Sequence, residues 1–133
     1  MLREVGEAIK AVLEGIPEIK QVEFYEGQFE KLDEEIINPP AIYVDYQDDE
    51  TSEISEVLGS INIHLFIMCS SVERSPGNML DILESIITAL HDQGVRELKT
   101  NDYLGRCFYK GSKPNTTFPG LVIREAKFKV ERS

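Results

Sequence analysis

The sequence lacks the features of a membrane-spanning or exported protein. Its 133 residues contain no run of about 18 apolar residues, which is the length that crosses a bilayer. The first residues, MLREVGEAIK, lack the long apolar region of a signal peptide. We therefore expect a single cytoplasmic domain spanning residues 1–133. Its two cysteines, Cys69 and Cys107, are expected to be buried thiols.

Positive charge is also scarce. The chain has 14 lysines and arginines against 24 aspartates and glutamates, a net charge of −10. Residues 1 to 67 hold 16 acidic and four basic residues, whereas residues 68 to 133 hold eight acidic and ten basic ones. Because an acidic surface repels phosphate groups, nucleic-acid binding is disfavoured. Halves of unlike charge are compatible with self-association, and a merely solubilising surface is the alternative.

The patterns of catalytic and metal sites are missing as well. The chain has two histidines, His64 and His91, and no cysteine, aspartate or second histidine stands at ligand spacing beside His64. We therefore expect His64 to be packed or hydrogen-bonded. Neither a G-x-S-x-G elbow nor the glycines and lysine of a phosphate-binding loop is present. The sequence predicts no catalytic residue, cofactor or metal, and hence a protein that is not an enzyme.

The clearest pattern that is present runs from Val57 to Gly94. Its first part, VLGSINIHLFIMC, alternates isoleucines and a leucine with other residues, which is typical of a strand with one buried face. Apolar residues then recur at helical spacing, with Ser75 as the expected N-cap and Pro76 at the first helical position. Gly94 is expected to end this helix in the left-handed conformation.

The rest of the chain predicts one further helix and four further strands. The predicted helix is 2–14, the predicted strands are Ile19–Tyr25, Ala41–Tyr46, Tyr103–Tyr109 and Leu121–Val130, and the predicted connections are Glu26–Asn38, Val95–Asp102 and Gly111–Gly120. We expect an α+β fold, with a single antiparallel or mixed sheet of about five strands and two helices packed on one face. The other face and the edges of the sheet would meet solvent or a partner.

One segment, Gln47–Glu56, is acidic and almost free of core-forming residues. Its sequence, QDDETSEISE, predicts a mobile hairpin loop between two strands. The oxygen-bearing side chains are spaced as in a calcium loop, but Glu50 stands where the tight turn of such a loop needs glycine. We therefore interpret the segment as a solvated loop without metal. The candidate assembly residues in it are Asp48, Asp49, Glu50, Glu53 and Glu56.

Three segments carry a resemblance to a known family. They are the first helix, LREVGEAIKAVLEGI, the entry to the second strand, NPPAIYVDYQ, and the end of the second helix, LDILESIITALHD. In this order the chain resembles the minor tail proteins of Mu-like prophages, which belong with the phage tail-terminator, or tail-completion, proteins. The resemblance implies an α+β fold and a homo-hexameric ring at the head-proximal end of the tail tube. It also implies the tail-tube and head-completion proteins as partners, and assembly in the host cytoplasm followed by a place in the virion tail.

A ring would give the uneven charge a role. Rings close through contacts between two different faces of each subunit, and opposite charges on those faces would steer the contact. Basic residues crowd into the last strands, so Arg124, Lys127 and Lys129 are the candidate subunit contacts. The acidic loop would then face the lumen or the next ring. The alternative function is a non-enzymatic small-molecule-binding or regulatory α+β domain, with a pocket between sheet and helices.

Overall fold

In the computed structural model of the protein, residues 2–46, 60–70, 76–115 and 120–131 are described. Within these residues the chain forms two helices, six strands and one 3₁₀ segment. The helices are α1 (Leu2–Glu14) and α2 (Pro76–Leu90), the strands are β1 (Gln21–Phe24), β2 (Ala41–Tyr46), β3 (Ser60–Ser70), β4 (Gln93–Arg96), β5 (Tyr103–Pro114) and β6 (Leu121–Glu131), and the 3₁₀ segment is Gln28–Glu34. The predicted α+β class is confirmed.

The six strands form one mixed sheet in the order β1-β2-β3-β6-β5-β4. β1 pairs with β2 in parallel, and every other neighbouring pair is antiparallel. At the centre, β3 and β6 pair along their whole lengths, from Ser60 opposite Glu131 to Ser70 opposite Leu121. The prediction of one sheet is confirmed, but the predicted count of about five strands falls short of the six that form.

The strand that sequence reasoning missed is β4. It follows α2 almost directly, because Asp92 rather than Gly94 takes the left-handed conformation, with φ at 58°. The Asp92 amide donates to the Cys107 carbonyl, which starts the pairing with β5. Gly94 lies within β4, opposite Arg106, so the predicted glycine cap is wrong.

The main core lies on one face of the sheet, which we call the helix face. Every second residue of β3 from Ile61 to Cys69 points into this core and is buried, as the alternation predicts. The residues that the helices contribute recur at helical spacing: Val5, Ile9 and Leu13 from α1, and Ile82, Ile86 and Leu90 from α2. Burying these stripes against the strands is what stabilises both helices, since amphipathic helices of this length depend on tertiary packing.

The sheet curls around α1. This helix contacts β1 and β2 at one end of the strand order and β4 at the other end. Its approach to β2 is close, because a Cβ atom added at Gly6 would lie 2.7 Å from the ring of Tyr46. The two ends of the sheet therefore lie on either side of the same helix.

A second, smaller core covers part of the opposite face, which we call the outer face. It contains Leu32, Ala41, Tyr43, Phe66, Met68 and Ile123. The 3₁₀ segment lies over it, and the Phe29 ring is 4.9 Å from that of Phe66. The prediction of helices on one face therefore omits this third layer. Ile36, two residues beyond this segment, is 91% exposed and lies outside this core.

Candidate functional site

The predicted acidic loop falls outside the described residues. Asp48, Asp49, Glu50, Glu53 and Glu56 all lie between Tyr46, where β2 ends, and Ser60, where β3 begins. β2 and β3 are antiparallel neighbours, as a hairpin prediction requires. The proposed role of these five residues in assembly stays a prediction.

The three candidate contact residues lie on β6 but on two different faces of the sheet. Because side chains alternate along a strand, Arg124 shares the helix face with Ala126, and Lys127 and Lys129 point to the outer face. The Arg124 guanidinium donates to the Ser112 hydroxyl at 2.9 Å. The structure therefore does not bring the three side chains together, and any single contact surface includes only part of the set.

The outer face carries a linked group of charged side chains. His64 Nδ1 lies 2.7 Å from Glu125 Oε1, and Lys113 Nζ lies 3.8 Å from the other carboxylate oxygen. The side chains of His64 and Glu125 are only 20% and 12% exposed. The expectation of a hydrogen-bonded His64 is confirmed, and its partner is a glutamate 61 residues away in the chain.

A bulge in β5 brings two lysines to this face. The register with β6 shifts between Tyr109 and Gly111, so that Lys113 pairs with Glu125 on the outer face. Lys110 also lies there, with its ammonium 5.7 Å from the centre of the Phe108 ring. Without the extra residue, strand alternation would send Lys110 and Lys113 to opposite faces.

The bulge opens a hollow that we call the lysine hollow. It has a volume of about 230 Å³ and is lined by Lys110, Gly111, Ser112, Lys113, Glu125 and Lys127. Gly111 is one of the lining residues, with φ at 120°, and a Cβ atom there would have no neighbour within 4 Å. Three lysines thus surround one glutamate that already binds His64.

A second surface of opposite charge lies at the other end of the sheet. This acidic groove has a volume of about 730 Å³ and runs along β1 between α1 and the 3₁₀ segment. Its lining residues are Lys10, Val22, Glu23, Phe24, Glu26, Gly27, Gln28, Glu30, Lys31 and Glu35. Four glutamates therefore face two lysines, and one of these, Lys10, is paired with Glu14 at 3.3 Å.

Both surfaces lie beside open strand edges. β1 is the first strand in the sheet order, so one of its sides has no strand partner among the described residues. At the other end, β4 covers β5 only from Tyr103 to Cys107. The Tyr109 amide donates to His91 Nδ1 at 3.0 Å, and beyond it no described strand pairs with this side of β5. Unpaired edges of this kind are sites where another chain can add.

The main core buries large side chains and both cysteines. Between helices and sheet lies the main core, in which Ile9, Ile63, Ile86 and Phe128 are almost completely buried. Both cysteines are free and buried, as predicted. Burial raises the pKa of the Cys107 thiol to about 12 and also raises the pKa of Cys69. Both groups therefore pack as uncharged thiols.

Tyr43 is a core residue whose polar atom is left without a partner. Its hydroxyl is buried and has no hydrogen-bond partner among the described residues. Burial, with a smaller contribution from Glu35 and Glu23, raises the pKa of Tyr43 to about 12. The ring is held by aromatic neighbours, with the Phe29 ring 5.7 Å away. Packing of the ring, rather than a hydrogen bond, therefore keeps this tyrosine in place.

Tyr43→Phe is expected to raise the free energy of unfolding by about 1 kcal/mol near pH 8, because it removes a buried hydroxyl that forms no hydrogen bond. The folded-state pKa of Tyr43 is above the ordinary value of 10.0, so the unfolded chain loses this proton more readily, and the free energy of unfolding falls as the pH rises from 10.0 through about 12. The free energy of unfolding of the variant should therefore fall less between pH 8 and pH 11 than that of wild type. Urea unfolding at pH 8 and pH 11 measures both effects, with the exposed Tyr103→Phe as control. Equal alkaline losses in wild type and Tyr43→Phe would contradict the assignment.

The described residues include no group of three or more histidines, cysteines, aspartates or glutamates arranged to hold a metal ion. Neither described helix is long and apolar enough to cross a membrane. The surfaces that remain as candidates are the acidic groove, the lysine hollow and the strand edges beside them. The pocket predicted between helices and sheet has a counterpart in a hollow of about 440 Å³ lined by α1, α2 and β4, including Val12, Leu90 and Val95, and its role in binding a small molecule stays a prediction.

Comparison with known proteins adds no family to this description. No protein-family model matches the chain. A search of curated proteins finds no significant match either. The function is therefore inferred from the surfaces of the molecule and from the resemblance described above.

Proposed function

We propose that the protein is a structural, non-enzymatic subunit that joins copies of itself into a closed ring. By the resemblance to tail-terminator proteins, the ring would sit at the head-proximal end of a phage or prophage tail tube. There it would stop tube growth and offer a surface to the head. Its partners would be the tube and head-completion proteins, and it would pass from the host cytoplasm into the virion.

The observation that carries the proposal is the pair of open sheet edges. A ring needs two different surfaces on each subunit, because every contact joins one face of a copy to another face of the next. The open side of β1, the first strand in the order, and the part of β5 that β4 leaves uncovered, in the last strand but one, are such a pair. Proteins that stay monomeric usually cover or blunt their edges, so two open edges favour assembly.

The first experiment measures assembly of the purified protein. Light scattering is expected to give a mass several times the 15.1 kDa of one chain, and negative-stain images are expected to contain rings. Six copies would agree with the resemblance. A ring with a different number of copies would support the assembly proposal and contradict the hexamer.

The second experiment tests the place of the ring on a tail. Genes for tape-measure, sheath and tube proteins are expected next to the gene for this chain. When the neighbouring tube protein is polymerised with the purified chain, tubes should become shorter, and the added chain should bind at one tube end in labelled images. A chain that forms no ring alone and leaves tube length unchanged would overturn the proposal.

A further inference from the structure

We infer that the lysine hollow of one copy and the acidic groove of a second copy are the two halves of the subunit contact. This inference rests on the proposed ring and names the surfaces that close it. The partner is a second copy of this chain, because one molecule carries both halves and cannot join them internally. The hollow lies on β5 and β6 and the groove on β1, and β5 and β1 are four strand spacings apart, or about 19 Å measured along the curled sheet.

The charges of the two surfaces match in number. The groove is lined by four glutamates and two lysines, a net charge of −2, and the hollow is lined by three lysines and one glutamate, a net charge of +2. The chain as a whole carries −10, so the positive hollow stands out from its surroundings. Complementary patches of this kind steer association and fix its register.

The positive charge of the hollow is only partly cancelled inside the molecule, through the pairing of Lys113 with Glu125 at 3.8 Å. Glu125 is the acidic group in its lining, and the nearest contact of that carboxylate is His64 rather than a lysine. Lys127 is exposed and has no ion pair closer than 4.0 Å among the described residues. Like charges held this close repel one another, so the lysines remain ready for acidic groups from outside.

The groove has the complementary property. Glu23, Glu26, Glu30 and Glu35 are all exposed along its rim. Lys10 turns to Glu14 and to the Phe24 ring, with its ammonium 5.8 Å from the ring centre, which leaves the rim more acidic. The side of β1 that has no described strand partner belongs to the same strand that lines the groove, so a strand edge from another copy would meet main chain as well as charge.

The closing experiment is a charge swap on exposed residues. One variant reverses the hollow, Lys110→Glu/Lys127→Glu, and a second reverses the groove, Glu30→Lys/Glu35→Lys. Each is expected to weaken assembly at least tenfold in light scattering at physiological salt. The variant with all four substitutions should assemble to within about threefold of wild type, because both halves are reversed together. Exposed pairs are screened by salt, so wild type should also weaken as salt rises.

Mixing the two double variants gives an independent test of the charge pairing. Alone, each double variant presents like charges to its neighbours, but an equal mixture can alternate them, because every reversed hollow then meets a reversed groove. Mixing is therefore expected to restore assembly. The matched control, Lys20→Glu/Lys99→Glu, changes two exposed lysines outside both surfaces and should leave assembly unchanged.

Each result separates this inference from the ring proposal. If wild type assembles and the reversals act no more strongly than the control, the contact lies elsewhere and the inference is overturned, while the ring stands. If the fourfold variant is folded by circular dichroism but does not assemble, the charge pairing is overturned. If wild type forms no ring alone or on tubes, both proposals fail together.

Discussion

Replacing Ile63 or Ile86 by alanine is expected to lower the free energy of unfolding by about 2–5 kcal/mol at either site. Both side chains are fully buried in the main core, Ile63 from β3 and Ile86 from α2. Each substitution loses the transfer free energy of the removed carbon atoms and leaves a cavity that the neighbours fill only in part. Because small domains are stable by only about 5–15 kcal/mol, either variant should unfold at a much lower urea concentration.

The control for this prediction lies on the same helix. Leu80 is 55% exposed, so Leu80→Ala should change the free energy of unfolding by no more than about 0.5 kcal/mol. Urea unfolding followed by circular dichroism compares the three variants with wild type. Losses below about 0.5 kcal/mol at both Ile63 and Ile86 would show that the main core is assigned to the wrong residues.

Gly105→Ala is expected to lower the melting temperature by about 4–12 °C, which corresponds to overpacking of roughly 1–3 kcal/mol. A Cβ atom at Gly105 would lie 2.6 Å from the main-chain oxygen of Glu131 and 2.8 Å from Val130 Cγ1. The oxygen belongs to β6, at the centre of the sheet, and cannot turn aside as a flexible side chain can. Relief therefore requires β5 to move away from β6.

A neighbouring glycine provides the control for Gly105. Gly94 lies on β4, and a Cβ atom there would meet only the ring of Tyr103, at 3.3 Å. Tyr103 is exposed and can rotate away, so Gly94→Ala should change the melting temperature by less than about 2 °C. If both alanine variants melt together with wild type in a calorimeter, the close approach of β5 to β6 is not as described.

Elements with a local signal could be predicted from the sequence. β3 alternates so regularly that its buried face follows from the sequence, and Ile61, Ile63, Leu65 and Ile67 are all buried. The apolar stripe of α2 likewise marks Ile86 as a core residue by its spacing alone. In both cases the apolar residues are spaced in the sequence as the residues on one face of a strand or helix are, so the sequence shows directly which face is buried.

Elements that depend on a distant partner could not be predicted. β4 has four residues, of which only Val95 is buried, so its sequence has no alternation of apolar and polar residues. The strand is recognised only by its pairing with β5. The second core also joins distant segments, since Leu32 meets Phe66 and Ile123 only after the sheet has formed. Short elements and outer layers of this kind are set by tertiary contacts.

The sequence predicts that the candidate contact surface is basic, but it does not predict which basic residues lie together on one face of the sheet. The excess of lysine and arginine in the last strands is visible in the sequence, and Lys127 is common to the predicted contact set and the lysine hollow. The bulge after Tyr109 changes which residues of β5 share a face, whereas the sequence pattern predicts a loop at Gly111. A glycine inside a strand pattern is the one signal that could have indicated the bulge. A count of charges carries no direction, so it places Arg124 with Lys127 and Lys129 although Arg124 lies on the opposite face of the sheet.

The pairing of β3 with β6 has a consequence for the order of events during synthesis. Ser70 and Leu121, the closest partners along the chain, are 51 residues apart. At about 5–20 residues per second, roughly 3–10 s pass between translation of the first strand and translation of its neighbour. During that interval the nascent chain carries an apolar strand with one side unpaired, and loop closure over such a separation is slow. The central ladder of the finished sheet therefore cannot form before β6 has been translated, and until then β3 is an apolar strand that a chaperone could protect.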